Sequence, residues 1–351
     1  MFSVTTSRGE YDVLFNQELN EQLRMHIPED SFVIIDSYIY KNYPLFSEII
    51  PKDKIYILDA KEDTKTLKTC EEIISLLTTS GFKRNHKLVA IGGGITQDVT
   101  SFAASILYRG VQWVFFPTTL LAQSDSCIGS KTSINFSGTK NLLGSYHAPS
   151  KVICCKEFLN TLPVRDIKSG IGEMLHYYLI ENSSLVNDLV DEYEDILSSP
   201  SDMLTKHIEE SLRIKRAMVQ KDEFDQKERR VFNYGHTFGH AIESITEHKI
   251  SHGLAVTLGM DLANFISLRL GNITREEFLL FRSFLQKNLI DYKIPSEKLN
   301  EYFGLLMKDK KNVDNSLVCV IPYGIGDIRL HKFDDLAPVK SFIKEYMDYK
   351  K

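Results

Sequence analysis

The segment FNYGHTFGHAIES (232–244) sets two histidines, His236 and His240, four residues apart, each preceded by a glycine. On a helix, positions i and i+4 share a face, so both imidazoles would point the same way. A glycine behind each would let a ligand approach closely, which suits a metal or a phosphate. Two histidines packed in a core satisfy the same spacing. His252, opening the helix-like run HGLAVTLGM, and Glu173, in the apolar GIGEMLHYYLI, are further donors. A carboxylate among apolar neighbours is costly unless paired or ligated. Two histidines and a carboxylate with an open fourth position form a catalytic zinc set; isolated histidines satisfied by backbone groups are the alternative. His176 falls one turn after Glu173, on the same face. In DEFDQKERRVFN (222–233), Arg229 and Asn233 lie four apart, on one helical face just before His236. An arginine fork suits a carboxylate or phosphate, and a solvated charged face is the plainer reading.

The first half offers sites for an anion. Gly92, Gly93 and Gly94 follow an apolar run and precede a helix-like one. Consecutive glycines let a backbone approach a diphosphate, with the amides of a helix start aimed at it; a tight strand-to-helix turn needs the same residues. Asp36 ends another apolar run, where it could accept from a ribose hydroxyl or cap a helix. The stretch DSCIGSKTSINFSGTKNLLGSYHAP (125–149) carries Asp125, Lys131, Lys140, Asn141 and His147 among glycines and hydroxyls. It reads as a long functional loop, its lysines suited to gripping phosphate, or as a solvated loop.

Elements to hold these groups are readable around them. SFVIIDS, KIYILDA, KLVAIGGG, VQWVFFP and KVICCKE read as buried strands. Between them, residues 64–81 and 96–110 have helical spacing and end in glycine, with Thr96 as a cap for the second. Strands alternating with helices imply βαβ units and a mostly parallel sheet. After about residue 160 the runs are helix-like, with SLVCVIPYGIGDIRLHK as a lone strand and turn. The expected architecture is therefore α/β: a Rossmann-like parallel-sheet domain over 1–160, then a mainly helical metal- and substrate-binding domain over 161–351. A net charge of −5 in 351 residues argues against a general nucleic-acid binder. Five cysteines without CxxC spacing suit free thiols in a reducing compartment. With no signal-peptide pattern and no apolar run of about 20 residues, a soluble cytoplasmic protein is expected, without membrane partners.

Together, GGGITQD, YRGVQWVFFPTTLLAQSDSCIGSKT, TKNLLGSYHAP, TLPVRDIKSGIGE, NYGHTFGHAIES, HGLAVTLGM and KDKKN resemble the 3-dehydroquinate synthase family of sugar phosphate cyclases, over nearly the whole chain. The resemblance implies a divalent metal, Zn²⁺ or Co²⁺, held by Glu173, His236 and His252. It implies that His240 helps bind the substrate phosphate and move protons. NAD would lie across the domain cleft against Asp36, Glu62, Lys65, Gly93, Gly94, Asp98, Thr118 and Thr119. Lys131, Lys140, Asn141, Asn233 and a lysine at 310 or 311, with Lys311 preferred, match phosphate and hydroxyl contacts; Asp125 is expected among the catalytic residues with His240, Lys131, Asn233, Arg229 and Lys215, and His176 among the substrate-binding ones. Lys215 and Arg229 stand where a substrate carboxylate is held. Arg109 matches an arginine that reaches the partner subunit's phosphate site, so a homodimer is implied. The implied reaction is redox-neutral: transient oxidation of an alcohol by NAD, phosphate elimination, re-reduction, then ring opening and an intramolecular aldol closure. The substrate would be the seven-carbon sugar acid phosphate (DAHP) of the shikimate pathway. A divergent cyclase acting on another sugar phosphate is the second expectation; a simple metal-dependent alcohol dehydrogenase and a non-catalytic binding protein fit the cationic cluster and the donor triad less well. The chain departs from the usual family pattern at His176 (usually lysine), Asp225 (usually glutamate), Leu254 (often glutamate) and Ser130 (usually glycine).

Overall fold

Each of the five apolar runs becomes a strand in the computed structural model, which describes residues 1–15, 17–27, 30–182, 184–308 and 316–349. The strands are β1 (Phe2–Thr6), β2 (Gly9–Leu14), β3 (Ser31–Asp36), β4 (Ile55–Leu58), β5 (Lys87–Gly92), β6 (Trp113–Pro117), β7 (Lys131–Phe136), β8 (Thr139–Tyr146), β9 (Lys151–Ile153), β10 (Leu317–Gly324) and β11 (Asp327–Phe333). The chain divides into two compact units: Met1–Pro163 with Ser199–Phe224, and Val164–Ser198 with Asp225–Lys351.

The first unit is built on a seven-stranded sheet of order β1-β2-β9-β6-β5-β3-β4. Its pairings are parallel except β1 with β2. The central strands are covered on both faces, so they read as unbroken apolar runs rather than alternating ones. Val33, Ile35, Val89, Ile91, Val114, Phe116 and Ile153 contribute to one core cluster. From β3 the chain goes out to β4 on one side and returns to β5 on the other. That reversal is a topological switch point, where open α/β sheets leave a crevice beyond the strand ends. Asp36 ends β3 and Gly92 ends β5, so both expected cofactor elements flank it.

Several local expectations are corrected. The helix after the glycines starts earlier than expected, at Gly94 with Gly93 as its cap, so Thr96 lies buried in the first turn. Residues 125–149 do not form one long loop. They contain a hairpin, β7 with β8, closed by Ser137 and Gly138 at φ 49° and 74°. Positive φ at both central positions is the twist-matched two-residue turn. The C-terminal strand is not alone, since β10 pairs antiparallel with β11. Arg229 and Asn233 lie on the 3₁₀ turn Glu228–Asn233. At three residues per turn, a spacing of four does not share a face.

The second unit centres on the helix His252–Leu270, buried at every position from Gly253 to Ser267. A helix apolar all round belongs inside a fold. It is long and apolar enough to cross a membrane, but it lies within the helical core. Helices Val164–Glu181 and His236–Ile245 pack on it through glycines. A Cβ on Gly253 would stand 1.7 Å from the Ser169 carbonyl oxygen, and one on Gly172 would stand 2.1 Å from that of Gly253. Gly253→Ala should therefore cost about 3 kcal/mol, near the upper end for overpacking. Gly304→Ala, in the helix Leu299–Met307 with nothing within 4 Å of the new methyl, should gain up to about 1 kcal/mol from helix propensity. Urea denaturation of both variants checks the contrast.

Candidate functional site

His236 and His252 are each the first residue of a helix, and Glu173 lies mid-way along Val164–Glu181. Gly235, in the left-handed region at φ 78°, turns the chain into the His236 helix. The glycines do not clear space for a ligand, as the spacing had suggested. A Cβ on Gly235 would meet the Val256 carbonyl oxygen at 2.7 Å, and one on Gly239 would meet that of Ala255 at 2.8 Å. Their role is to bring the helix backbones together.

The result is a convergence of nitrogen and oxygen donors. His236 Nε2 stands 3.4 Å from Glu173 Oε1, and His252 Nε2 stands 3.7 Å from Glu173 Oε2. The outer nitrogens face acceptors: His236 Nδ1 is 3.2 Å from the Tyr234 carbonyl, and His252 Nδ1 is 3.3 Å from Glu243 Oε2. With the proton on Nδ1, both Nε2 lone pairs face the Glu173 carboxylate. Direct hydrogen bonds are shorter than these Nε2–carboxylate separations. Two atoms each about 2.1 Å from a shared tetrahedral ion stand roughly 3.4 Å apart. The residues therefore fit a divalent cation.

His240 offers a third imidazole: its donor nitrogen and those of His236 and His252 lie within 4.8 Å of one another. Glu173 is 3% exposed, whereas His240 is exposed on the same helix face as His236. The buried carboxylate is the better third ligand, and exposed His240 is better placed to meet a bound molecule. His176 is fully buried, with Nδ1 3.5 Å from Glu173 Oε1. Arg229 is buried, which removes the solvated-face reading, and Asn233 donates to the Arg230 carbonyl at 2.8 Å.

In the first unit, the glycine turn fits tightly against its neighbours. A Cβ on Gly92 would stand 2.3 Å from Thr96 Oγ1, and one on Gly93 would stand 2.9 Å from Thr119 Cγ2. Thr118 N donates to the Gly92 carbonyl at 2.9 Å. Gly93, Gly94, Thr118 and Thr119 thus form one surface at a helix start, suited to a diphosphate. Asp36 Oδ1 accepts from Tyr38 N at 2.8 Å, capping the helix Ser37–Asn42. Burial raises its pKa, against the opposing pull of that hydrogen bond.

Lys65 joins Asp98 to the hairpin. Its Nζ is 2.5 Å from Asp98 Oδ2 and donates to Asn141 Oδ1 at 2.6 Å. Burial pushes Asp98 upward, while the Lys65 ammonium pulls it down. Ser133 Oγ donates to the same Asp98 and Asn141 oxygens, and Asn135 Nδ2 donates to Glu62 Oε1 at 2.8 Å. Lys140 Nζ lies 3.8 Å from that Glu62 atom. Lys131 is exposed at the start of β7. His147 Nε2 faces the Val111 carbonyl, a local structural contact. Arg109 is exposed in a turn where Tyr108, Arg109 and Gly110 take φ of 50°, 64° and 120°. Lys215 is buried and reaches Asp125, with Nζ 2.5 Å from Oδ1 and 2.8 Å from the carbonyl. Lys311 lies outside the described residues.

Residues 55–169 match the 3-dehydroquinate synthase N-terminal family and residues 170–312 match the 3-dehydroquinate synthase C-terminal family. The 3-dehydroquinate synthase of Campylobacter hominis is 38% identical, over 79% of this chain and 80% of its own. That of Dictyoglomus thermophilum is 37% identical over 86% and 84%. The chain belongs to the 3-dehydroquinate synthase family. Its fold is shared with a solved 2-deoxy-scyllo-inosose synthase in complex with carbaglucose-6-phosphate, NAD⁺ and Co²⁺. The TM-score is 0.85 at 26% identity, covering 98% of this chain and 99% of that one.

Sequence reasoning missed Glu243, Ser133 and Asn135. Glu243 was within reach: it lies three residues after His240 and seven after His236, on their helix face. The hairpin residues carried no comparable signal. The Lys215–Asp125 pair yields a prediction for this family member. Lys215→Met strips the half-buried Asp125 carboxylate of its ammonium and should cost about 2 kcal/mol. Lys215→Met with Asp125→Leu should recover part of that loss in the same chemical-denaturation measurement.

Proposed function

We propose that this chain catalyses the 3-dehydroquinate synthase reaction, the NAD- and metal-dependent cyclisation of DAHP with loss of phosphate, as a homodimer in the shikimate pathway. The observation that carries the proposal is the pair of imidazoles whose Nε2 atoms face Glu173 while their Nδ1 atoms face acceptors. Glu173, His236 and His252 would hold the ion, Zn²⁺ or Co²⁺. The glycine turn, Thr118, Thr119, Asp36, Glu62, Lys65 and Asp98 would hold NAD. When bound, the ion supplies Lewis acidity and NAD supplies reversible oxidation of an alcohol.

The chain's own groups account for the rest. Exposed His240 takes and returns a proton beside the phosphate. Lys131, Lys140 and Lys311 neutralise the phosphate, Asn141 and Asn233 orient phosphate and hydroxyls, and fully buried His176 acts only through its contact with Glu173. Asp125 fixes the Lys215 ammonium in place, which pre-orients it for an anionic group. Arg229 supplies the fork that matches a carboxylate. Arg109, exposed on its turn, would reach the second subunit.

Phosphate release from DAHP tests the reading. Chelation should abolish it, Zn²⁺ or Co²⁺ should restore it, and no NADH should accumulate with product. The likeness to the inosose synthase structure favours a second reading, a cyclase acting on a neutral sugar phosphate. The two part at Arg229. Losing its bidentate contact in a desolvated site should cost about 2–5 kcal/mol, roughly thirty-fold to several thousand-fold in kcat/KM. A lysine cannot reproduce the fork, so Arg229→Lys should be nearly as damaging as Arg229→Ala towards DAHP. A wild type that prefers the carboxylate-lacking sugar phosphate would establish the second reading.

A further inference from the structure

The two imidazoles turned towards Glu173 are held from behind in different ways. His236 Nδ1 faces a neutral acceptor, the Tyr234 carbonyl, at 3.2 Å. His252 Nδ1 faces a carboxylate, Glu243 Oε2, at 3.3 Å. The other oxygen of the same carboxylate, Oε1, lies 3.2 Å from His248 Nδ1. Glu243 is therefore spanned between an inner histidine, whose side chain is 28% exposed, and an outer one that is 42% exposed. Its own side chain is 16% exposed, so solvent screens the inner contact only partly. His248 sits at the end of the helix His236–Ile245, where Glu247 and His248 take φ of 51° and 61°.

We infer that Glu243 is a positioning residue for His252: it accepts a hydrogen bond from Nδ1–H, fixes the tautomer that turns the Nε2 lone pair towards a cation, and strengthens that nitrogen as a donor. An imidazole has one proton when neutral, and an acceptor behind one nitrogen commits the lone pair to the other. An anionic acceptor also makes the ring more basic than a neutral one does. Of the two histidines, His252 is the more exposed and needs the stronger hold; the side chain of His236 is 11% exposed. His248 meets only the outer oxygen of that carboxylate and adds a minor hold. The inference rests on the metal reading of Glu173, His236 and His252.

The test uses the full chain stripped of metal and titrated with Co²⁺ against a competing chelator. Its readouts are affinity, the visible absorption of the bound Co²⁺, and the melting temperature of the metal-free protein. Glu243→Ala should weaken Co²⁺ binding roughly 10–100-fold and alter the absorption bands, with the metal-free melting temperature close to wild type. Glu243→Gln, whose amide oxygen still accepts but carries no charge, should fall between the two. It also carries the test if the alanine variant fails to fold. His248→Ala should change affinity by less than about threefold, since Glu243 Oε2 keeps its contact with His252. Unchanged affinity and spectra in Glu243→Gln and Glu243→Ala, with wild type binding one Co²⁺, would overturn the inference alone. A loss in His248→Ala equal to that in Glu243→Ala would also overturn it, since Glu243 would then act by holding the helix end. A wild type that binds no Co²⁺, or binds it equally well after Glu173→Ala, overturns the metal reading and this inference with it.

Discussion

Two helices of the second unit touch backbone to backbone, and the donor cluster depends on that contact. Gly253 N donates to Ser169 Oγ at 3.0 Å, and the Cβ positions of Gly253 and Gly172 are already filled by carbonyl oxygens of the opposite helix. The third helix joins in the same way: a Cβ on Gly259 would stand 2.0 Å from the Gly235 carbonyl oxygen. Each of these glycines except Gly259 neighbours a donor in the chain. Gly172 precedes Glu173, Gly235 precedes His236, Gly239 precedes His240 and Gly253 follows His252. The residue that sets the helix spacing is thus one peptide away from the atom whose position matters. A coordination set tolerates displacements of about 0.5 Å, less than any added methyl at these contacts would impose.

The second constraint is charge. Asp98, Asp125 and Asp261 lie against Lys65, Lys215 and Arg282, each neutralised by a cation of the chain. Asp261 also accepts from Tyr346 OH at 2.6 Å, tying the C-terminal helix Ala337–Asp348 to the core helix. Glu173 lies instead against the imidazoles of His236, His252 and His176. With neutral imidazoles whose lone pairs turn inward, the region would be negative. The cluster thus fits the divalent cation proposed for it.

How much of this was legible in the sequence follows from what periodicity encodes. Buried parallel strands are apolar throughout, so β3, β5, β6 and β9 could be read directly; β4 gave the same apolar signal but is an edge strand with Ile57 exposed, not a buried one. The β7–β8 hairpin could not, because β8 is exposed over most of its length and its residues have a loop-like composition. The helix Thr205–Lys221 shows a second limit. Its apolar face, with Ile208, Leu212 and Val219, is plain in the sequence, but nothing there says which core will cover it. It packs in the first unit, where Ser211 Oγ donates to the Ser124 carbonyl and Lys215 meets Asp125. The donor residues could be named as candidates from their types and apolar surroundings, and the family resemblance singled out Glu173, His236 and His252. The reason for their glycines was not legible, since a close contact between helices is a property of the pair.

The four departures from the usual family pattern can now be weighed by what each side chain does. Ser130 uses a hydroxyl that glycine lacks, donating to Glu223 Oε1 at 2.7 Å. Asp225 takes φ 58°, a left-handed conformation that aspartate adopts more readily than most residues. Leu254 is buried in the first turn of the core helix, where an apolar side chain has no desolvation cost to offset. These three are accounted for by local structure. His176 is different, because its ring lies 4.9 Å from that of His236 and its Nδ1 faces Glu173. A lysine there would carry a flexible point charge. An imidazole is shorter, flat and fixed by packing against Tyr177 and Phe232. The ring therefore makes a short-range contact beside the donor cluster where a longer, charged side chain is usual. Of the four, it alone lies against the donor cluster.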